Sequence, residues 1–468
     1  MERVKSTNGK HDKVLLDGYA YNYFRSTKDG DIQTYRCDRY NELRCEAKLR
    51  VTASTSSCTL VGIHIDAPDP GHCEIIKVSA NMKSIALLGS EPPRRIYADN
   101  VAGISSDAAV VLPQYESSQR MMQRARQRVR APHPVPTNFQ ELDIPVELQS
   151  TQNSEPFILF DSGRTDANRI ILFGTSDNVQ FLQDNKNWFA DGTFKITPNL
   201  FYQVYTLHAI KCNTVVPLIY ALLPDKREET YRRVLDALLD VNNNLYPESC
   251  MLDLEKAAEN AFMASFPGIS ITLCLFHLGQ CLWRKIQELQ LANLYRDDQD
   301  IRRQCKWLLA LAFVPPSDVV ATFVDCKARV RTELSDLYDY WESTYIGAPR
   351  RGRRQVPLYK IDNWNQTIRL ADDLPRTNNA VEGWHHAFQS MIGSHHPQIF
   401  TFIGHILKEQ GITDVVKSRL RSGVVKPVSS KSRYVRCGLR IKSLVQQYPT
   451  IQRIEYLDGI QHNLTITM

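Results

Sequence analysis

Between residues 170 and 276, strand-like and helix-like patterns follow one another in an order that few folds accommodate. Ile170-Ile171-Leu172-Phe173 is a short apolar run of the kind a buried strand makes. Asn187–Lys195, Phe201–Lys211 and Val215–Leu223 then predict three consecutive strands, short enough in their connections to form a meander. Glu228–Leu245 switches to helical spacing, with Tyr231, Val234, Leu235, Leu238, Leu239 and Val241 as its apolar positions. Cys250–Leu254 predicts a strand, Lys256–Phe266 a helix and Ile269–Phe276 another strand. Residues 277–346 hold long helical patterns without strand signals, and helix returns at 378–392.

Three antiparallel strands, then helix, strand, helix and strand, is the order of an α/β, RNase H-like core. The expected division is 156–276 for the first part of that core, 277–375 for an all-helical insertion and 376–425 for the last core helices, including an amphipathic helix at 398–421. Residues 426–468 form a C-terminal tail with nothing specific to read. Ahead of the core, residues 15–78 read as a small β-rich module. Tyr19, Tyr21 and Tyr23 alternate as one face of a strand would, and turn residues such as Lys28-Asp29-Gly30-Asp31 separate the short runs. Residues 79–155 read as a linker. No internal repeat is visible.

This order gives three acids a common address. Asp191 ends the first meander strand, just before Gly192. Asp253 ends the fourth strand, 62 positions later, and the two strands are neighbours in such a sheet. Glu382 comes 129 positions after that, on a helix whose apolar stripe is Val381, Trp384, Phe388, Met391 and Ile392. It shares the polar flank with His385, His386 and Gln389. Clustered carboxylates repel when ionised, and hard cations such as Mg²⁺ or Mn²⁺ relieve that repulsion. Phosphoryl transfer then needs little beyond positioning and charge stabilisation. Each acid also has a plainer role: an Asp-Gly turn, a helix cap, a first-turn acid at a helix N-terminus. The strand order favours the joint role.

The run from about 138 to 395 resembles the MULE (Mutator-like element) transposases. The resemblance rests on Asp191-Gly192-Thr193-Phe194-Lys195 with Pro198, on Phe201-Tyr202-Gln203-Val204-Tyr205-Thr206-Leu207-His208, and on Val216-Pro217-Leu218-Ile219-Tyr220-Ala221-Leu222-Leu223. It continues through Glu229-Thr230-Tyr231, Asp253-Leu254-Glu255-Lys256-Ala257, Cys274-Leu275-Phe276-His277 and Asn378-Asn379-Ala380-Val381-Glu382-Gly383. It implies a DDE core with Asp191, Asp253 and Glu382 as catalytic, metal-holding residues, and metal-dependent cleavage and transfer of DNA strands at transposon ends. Cys274-x-x-His277 matches a family motif beside the second aspartate. As a zinc site it is incomplete, even with Cys281 one turn on, so a supporting role is expected. Glu255 is expected in support as well.

Tyr35-Arg36-Cys37 and Cys45-Glu46-Ala47-Lys48-Leu49 resemble a FLYWCH-type zinc finger, which closes with two further ligands, usually His-x-His. Here that ending departs from the pattern. Cys37, Cys45, His64 and His72 are the expected Zn²⁺ ligands, with Cys73 as an alternative to the last two. A module this small has a thin core, so a metal staple is physically sensible.

The remaining features set the cellular frame. Of 468 residues, 57 are basic and 51 acidic, a mild excess that permits a nucleic-acid partner. Eleven scattered cysteines fit a reducing compartment. No apolar signal core or membrane-spanning run is visible, so no membrane partner is expected. Tyr115–Arg130 carries five arginines against one acid and is followed by Pro132, Pro134 and Pro136. It is either a basic helix on a nucleic-acid backbone or a solvated surface helix. Arg350-Arg351-Gly352-Arg353-Arg354 is either a nuclear import signal or phosphate-contact loop, or a solvated loop. His395-His396 reads as surface. The expectation is a nuclear DNA transposase acting on transposon ends and target DNA, with homo-oligomerisation left open. The alternative is a transposase-derived DNA-binding regulator without catalysis, and a weaker one is a hydrolytic nuclease of the same fold.

Overall fold

Two hairpin turns show how the local sequence sets the strands. Asp17-Gly18 and Cys212-Asn213 both place two successive residues at positive φ, the mirror-image turn that matches the twist of antiparallel strands. The first joins β2 (Lys13–Leu16) to β3 (Tyr19–Ser26), and the second joins strands in the other half of the chain. A computed structural model describes residues 1–6, 11–55, 57–89, 91–130, 134–424 and 433–466, with backbone alone at 127–130, 433 and 434. It divides into two units, Met1–Pro134 and Val135–Met468.

The first unit opens with an antiparallel sheet whose six strands pair in chain order. β1 is Glu2–Val4, and β4 (Ile32–Cys37), β5 (Lys48–Thr52) and β6 (Cys58–Val61) follow the hairpin. The alternation of Tyr19, Tyr21 and Tyr23 turns that face of β3 onto a small core of Val14, Tyr35, Leu49 and Val51. β1 escapes a sequence reading because three residues carry no periodicity. The stretch expected as a linker differs more. Helices at Pro70–Leu88, Pro93–Val101, Ser106–Val111 and Tyr115–Arg130 pack through Met82, Ala86, Ile96 and Met122. Pro70–Leu88 buries Cys73, Ile75, Met82 and Ala86, whereas Pro93–Val101 buries Ile96 alone and leaves little stripe to read. Pro132 and the first residues of the expected tail, 426–432, lie outside the described residues.

The second unit is built on a mixed seven-stranded sheet. β7 (Ile158–Asp161) and β8 (Ile171–Phe173) precede the meander β9 (Asn187–Thr193), β10 (Gln203–Lys211) and β11 (Thr214–Leu223). β12 (Ser249–Leu252) and β13 (Ser270–Leu273) complete it in the order β13-β12-β9-β10-β11-β8-β7. β12 runs parallel to β9 and to β13, and the other pairs are antiparallel.

Side-chain alternation sorts the sheet into two faces. Trp188 and Ala190, Tyr205 and Leu207, Cys250 and Leu252 join the large core under the helices Glu228–Val241 and Lys256–Ser265. The opposite face carries Phe189, Met251, Val204 and Tyr220 and is covered by the helices Asn379–Ile392 and Ile399–Arg421. Asn379–Ile392 stops at Gly393, whose φ of +70° is the left-handed cap glycine tolerates best. The expected tail is no loose end: helices Arg433–Gln447 and Arg453–Gln461 close on the helical block. The Trp307 indole donates to Asp458 at 2.8 Å, and Tyr456 donates to the Phe313 carbonyl at 2.5 Å. Among the described residues no helix is long and apolar enough to cross a membrane.

Candidate functional site

Register delivers the two aspartates together. Ser249 pairs with Asn187, Cys250 with Trp188 and Met251 with Phe189. Two more steps along the same parallel register bring Asp253 opposite Asp191. Alternation puts Asp191 on the face of Phe189 and Asp253 on that of Met251, which is the face covered by the helix carrying Glu382. Val381 packs with Phe189, Met251 and Cys274, so the first turn of that helix is seated over both strand ends.

Neutral and basic side chains stand between the acids. The Asn378 amide lies 3.4 Å from Asp191 Oδ2 and 3.0 Å from Asp253 Oδ1, donating to both. His277 Nδ1 lies 2.8 Å from Asp253 Oδ1, and its Nε2 lies 3.6 Å from Glu382 Oε1. His385 Nδ1 lies 3.5 Å from Asp191 Oδ2, and its Nε2 lies 3.4 Å from the Thr206 hydroxyl. The Gly192 amide donates to Asp191 Oδ1 at 2.7 Å. Gly192 lies within β9 opposite Tyr205, and a side chain there would meet Gln203 Oε1 at 2.4 Å, so glycine lets Gln203 pack against the strand beside the acid. Cys274 is a support: its thiol donates to Asn378 Oδ1 at 3.2 Å and receives the Asn378 amide N–H.

Burial and the neighbouring Asp253 push the Asp191 carboxyl well above the usual range, and burial raises Glu382 too. Burial opposes a charge on His277, yet the bonds to Asp253 and Cys274 outweigh it and raise the ring to about 11. Burial instead drops His385 to about 4, leaving it neutral. The acids have thus drawn in a cation. All-oxygen donors that favour an imidazolium at their centre fit a hard divalent ion such as Mg²⁺ or Mn²⁺. Glu255 stands apart, accepting from Tyr231 at 2.8 Å and pairing with Lys226.

The N-terminal unit holds a different cluster. One donor atom each from Cys37, Cys45, His64 and Asp66 lies within 4.8 Å of the others, the only such group among the described residues. Cys37 ends β4, and Cys45 follows a one-turn helix that closes on Arg44 at φ +59°. His64 Nδ1 is 3.5 Å from Cys45 Sγ, while its Nε2 meets the Tyr21 hydroxyl at 2.8 Å. Tyr19 stacks on the ring at 3.6 Å between centroids. Two thiols, an imidazole and a carboxylate suit tetrahedral zinc. His72 and Cys73 need correcting as ligands. Asp69 caps the helix Pro70–Leu88 through the His72 amide, and the His72 ring is held by Asp38 at 2.9 Å. Cys73 is buried with Val4, Leu15 and Ala20.

Asp66 stands where a His-x-His ending would place its second histidine, and only the fold brings it to the cluster. Asn378 and His385 flank Glu382 in sequence, but nothing in one sequence marks an amide as a bridge. Of the basic stretches, Arg126 is spent on the Ala86 and Glu91 carbonyls, while Arg120 and Arg124 are exposed. Arg354 pairs with Glu342, leaving Arg350, Arg351 and Arg353 at the surface. His395 and His396 are exposed as expected.

Residues 187–280 match the MULE transposase domain, and residues 4–65 match the FLYWCH zinc finger domain. The first match contains Asp191, Asp253, Cys274 and His277 and ends before Glu382. The second contains Cys37, Cys45 and His64 and stops one residue short of Asp66. A search of curated proteins finds no match. The chain thus carries a stretch matching a zinc finger domain and one matching a transposase domain, which supports a transposase-related function.

Proposed function

We propose that this chain is a DDE-type DNA transposase that cuts and joins strands at transposon ends through Asp191, Asp253 and Glu382. One observation carries the proposal: register and alternation set both aspartates on the sheet face that the Glu382 helix covers. The meander followed by β12 and β13 parallel to β9 supports an RNase H-like core with the helical block inserted before that helix.

In this reading the three carboxylates hold Mg²⁺ or Mn²⁺, which supplies charge stabilisation to the attacking and leaving oxygens of the phosphodiester. The protein's own groups set the stage. Asn378 fixes the spacing of Asp191 and Asp253, and the Gly192 amide orients Asp191. Without metal the His277 ring holds its proton between Asp253 and Glu382, and it stands beside both carboxylates as their charge partner. His385, neutral, buttresses Asp191 against Thr206. Water attacks phosphorus and the P–O3′ bond breaks, leaving a 5′-phosphate and a free 3′-hydroxyl. That hydroxyl then attacks a target phosphodiester, forming a new P–O3′ bond as the target's own P–O3′ bond breaks and its 3′-hydroxyl leaves.

The spread of the carboxylates, with a histidine between two of them, is the feature that favours a non-catalytic DNA-binding derivative. The test is cleavage of a plasmid carrying the genomic flanks of this coding sequence, with Mn²⁺. Breaks at the flank ends that vanish in Asp253→Asn support the transposase. No breaks, or equal breaks in the variant, sink it.

A further inference from the structure

The chain segments that hold the acidic site have a second side. Leu275 and Arg376 are tied by a backbone bond, Leu275 N–H to the Arg376 carbonyl at 3.0 Å, so 274–277 and 376–378 run side by side. Cys274, His277 and Asn378 serve the acids. Leu275, Phe276, Arg376 and Thr377, the residues between them, instead line a cavity of about 920 Å³. Its other wall comes from the C-terminal helices, through Arg436, Arg440 and Ile441 and then His462 and Asn463.

The chemistry of this lining is one-sided. Three guanidinium groups and an imidazole face the cavity, and among the described residues no carboxylate lines it. Arg376 is buried at its base, over Phe313, whereas Arg436 and Arg440 are exposed at its rim, one helical turn apart. Apolar surface from Leu275, Phe276 and Ile441 lies beside them. Clustered arginines recognise phosphate oxygens by charge and by their forked donors, and apolar or aromatic surface accepts a base or sugar. A volume of this size suits a nucleotide unit better than a lone ion.

We infer that this cavity is a binding site for the DNA strand, gripping backbone phosphate at Arg436 and Arg440 as the strand approaches the acids. The inference rests on the transposase reading for its ligand. The shared wall, with adjacent residues facing the acids on one side and the cavity on the other, favours the strand over a free nucleotide. It also gives the C-terminal helices a purpose, since they close the cavity on the helical block.

The test uses the full chain, a fluorescein-labelled single-stranded oligonucleotide and anisotropy over a salt series, without divalent metal. Arg436→Glu/Arg440→Glu is expected to weaken binding at least tenfold and to flatten the salt slope by about 1.4, two contacts at roughly 0.7 each. Arg436→Lys/Arg440→Lys should keep most of both, which separates charge from misfolding. Arg351→Glu/Arg353→Glu, on an exposed basic hairpin outside the cavity lining, should change affinity less than twofold. Unchanged affinity and slope in the pocket reversal overturn the inference. So does ATP binding that needs the arginines while oligonucleotide binding does not, because that assigns the cavity to a free nucleotide. Cleavage is measured apart: arginine-dependent binding without cleavage leaves the inference standing and removes the catalytic reading. Cleavage with arginine-independent binding does the reverse.

Discussion

The finger cluster and the acidic cluster differ in how near their donors stand. In the finger, Cys37, Cys45, His64 and Asp66 are already within reach of one ion. In the larger unit, Asn378 and His277 hold the carboxylates apart. The cause is the charge each set carries without metal. Burial pushes the Cys37 thiol up to about 12 and lowers His64, so those groups are neutral and pack as part of a small core. Carboxylates brought together that way repel strongly in a buried setting, and a donor or a cation has to stand between them. A structural site can therefore be closed in advance, whereas an acidic site is kept open by its own charge until a cation arrives.

The largest expected effect breaks the finger side. Structural zinc contributes about 10–16 kcal/mol of apparent binding energy in finger peptides, and this sheet has only a thin core to replace it. Cys45→Ser should lose bound zinc, read by elemental analysis, and hydrogen exchange over residues 13–61 should rise to that of an unfolded segment. Retained protection would mean that the sheet stands on packing alone.

On the acidic side, Asp253→Asn should cut Mn²⁺-dependent cleavage by on the order of 10³-fold, several kcal/mol of lost charge stabilisation, while leaving zinc content unchanged. Asn378→Ala tests the spacer. Removing a donor shared by two carboxylates should lower the stability of residues 135–466 by about 1–3 kcal/mol without metal. Mn²⁺ should restore more stability to this variant than to the wild type, as the rise in thermal midpoint would show. The same midpoint should respond to pH in a set direction. The Asp191 carboxyl is raised in the folded state, so apo stability falls as pH climbs from the unfolded carboxylate range toward that raised value. Mn²⁺ binds the deprotonated form, so its stabilising shift should grow over the same window.

How much of this was legible follows from what kind of signal each part leaves. The meander and the two strands after it were visible because buried strands read as unbroken apolar runs with turns between them. Register and alternation then did the rest for Asp191 and Asp253. Glu382 was visible through its stripe of Val381, Trp384 and Phe388. Asn378 and Asp66 were not, since an amide bridge and a carboxylate in a histidine's place are defined only by what the chain brings near them. The helices of 70–111 and 433–461 were missed for a related reason, whereas Tyr115–Arg130 was read as a helix and is one. The buried residues of the missed helices, such as Met82, Ile96, Ile441 and Tyr456, are completed by partners on other segments, which a single segment's pattern does not show.

The smallest expected effect sharpens the claim that the finger is closed in advance. The Tyr21 hydroxyl holds His64 Nε2 at 2.8 Å and leaves Nδ1 turned toward Cys45. Partners of this kind behind a metal ligand are worth roughly 10–100-fold in affinity. Asp66→Ala, which removes a ligand, should weaken zinc more than Tyr21→Phe, which only loosens one. Tyr21→Phe should cost about tenfold, measured by competition with a chromophoric chelator. Tyr23→Phe, whose hydroxyl donates to Ser26, should cost nothing measurable. His72→Ala and Cys73→Ser should likewise leave zinc stoichiometry unchanged, because Asp38 holds one and an apolar cluster buries the other. If Tyr21→Phe binds zinc within twofold of wild type, the stacking of Tyr19 on the imidazole is sufficient to aim it, and the hydroxyl is a bystander.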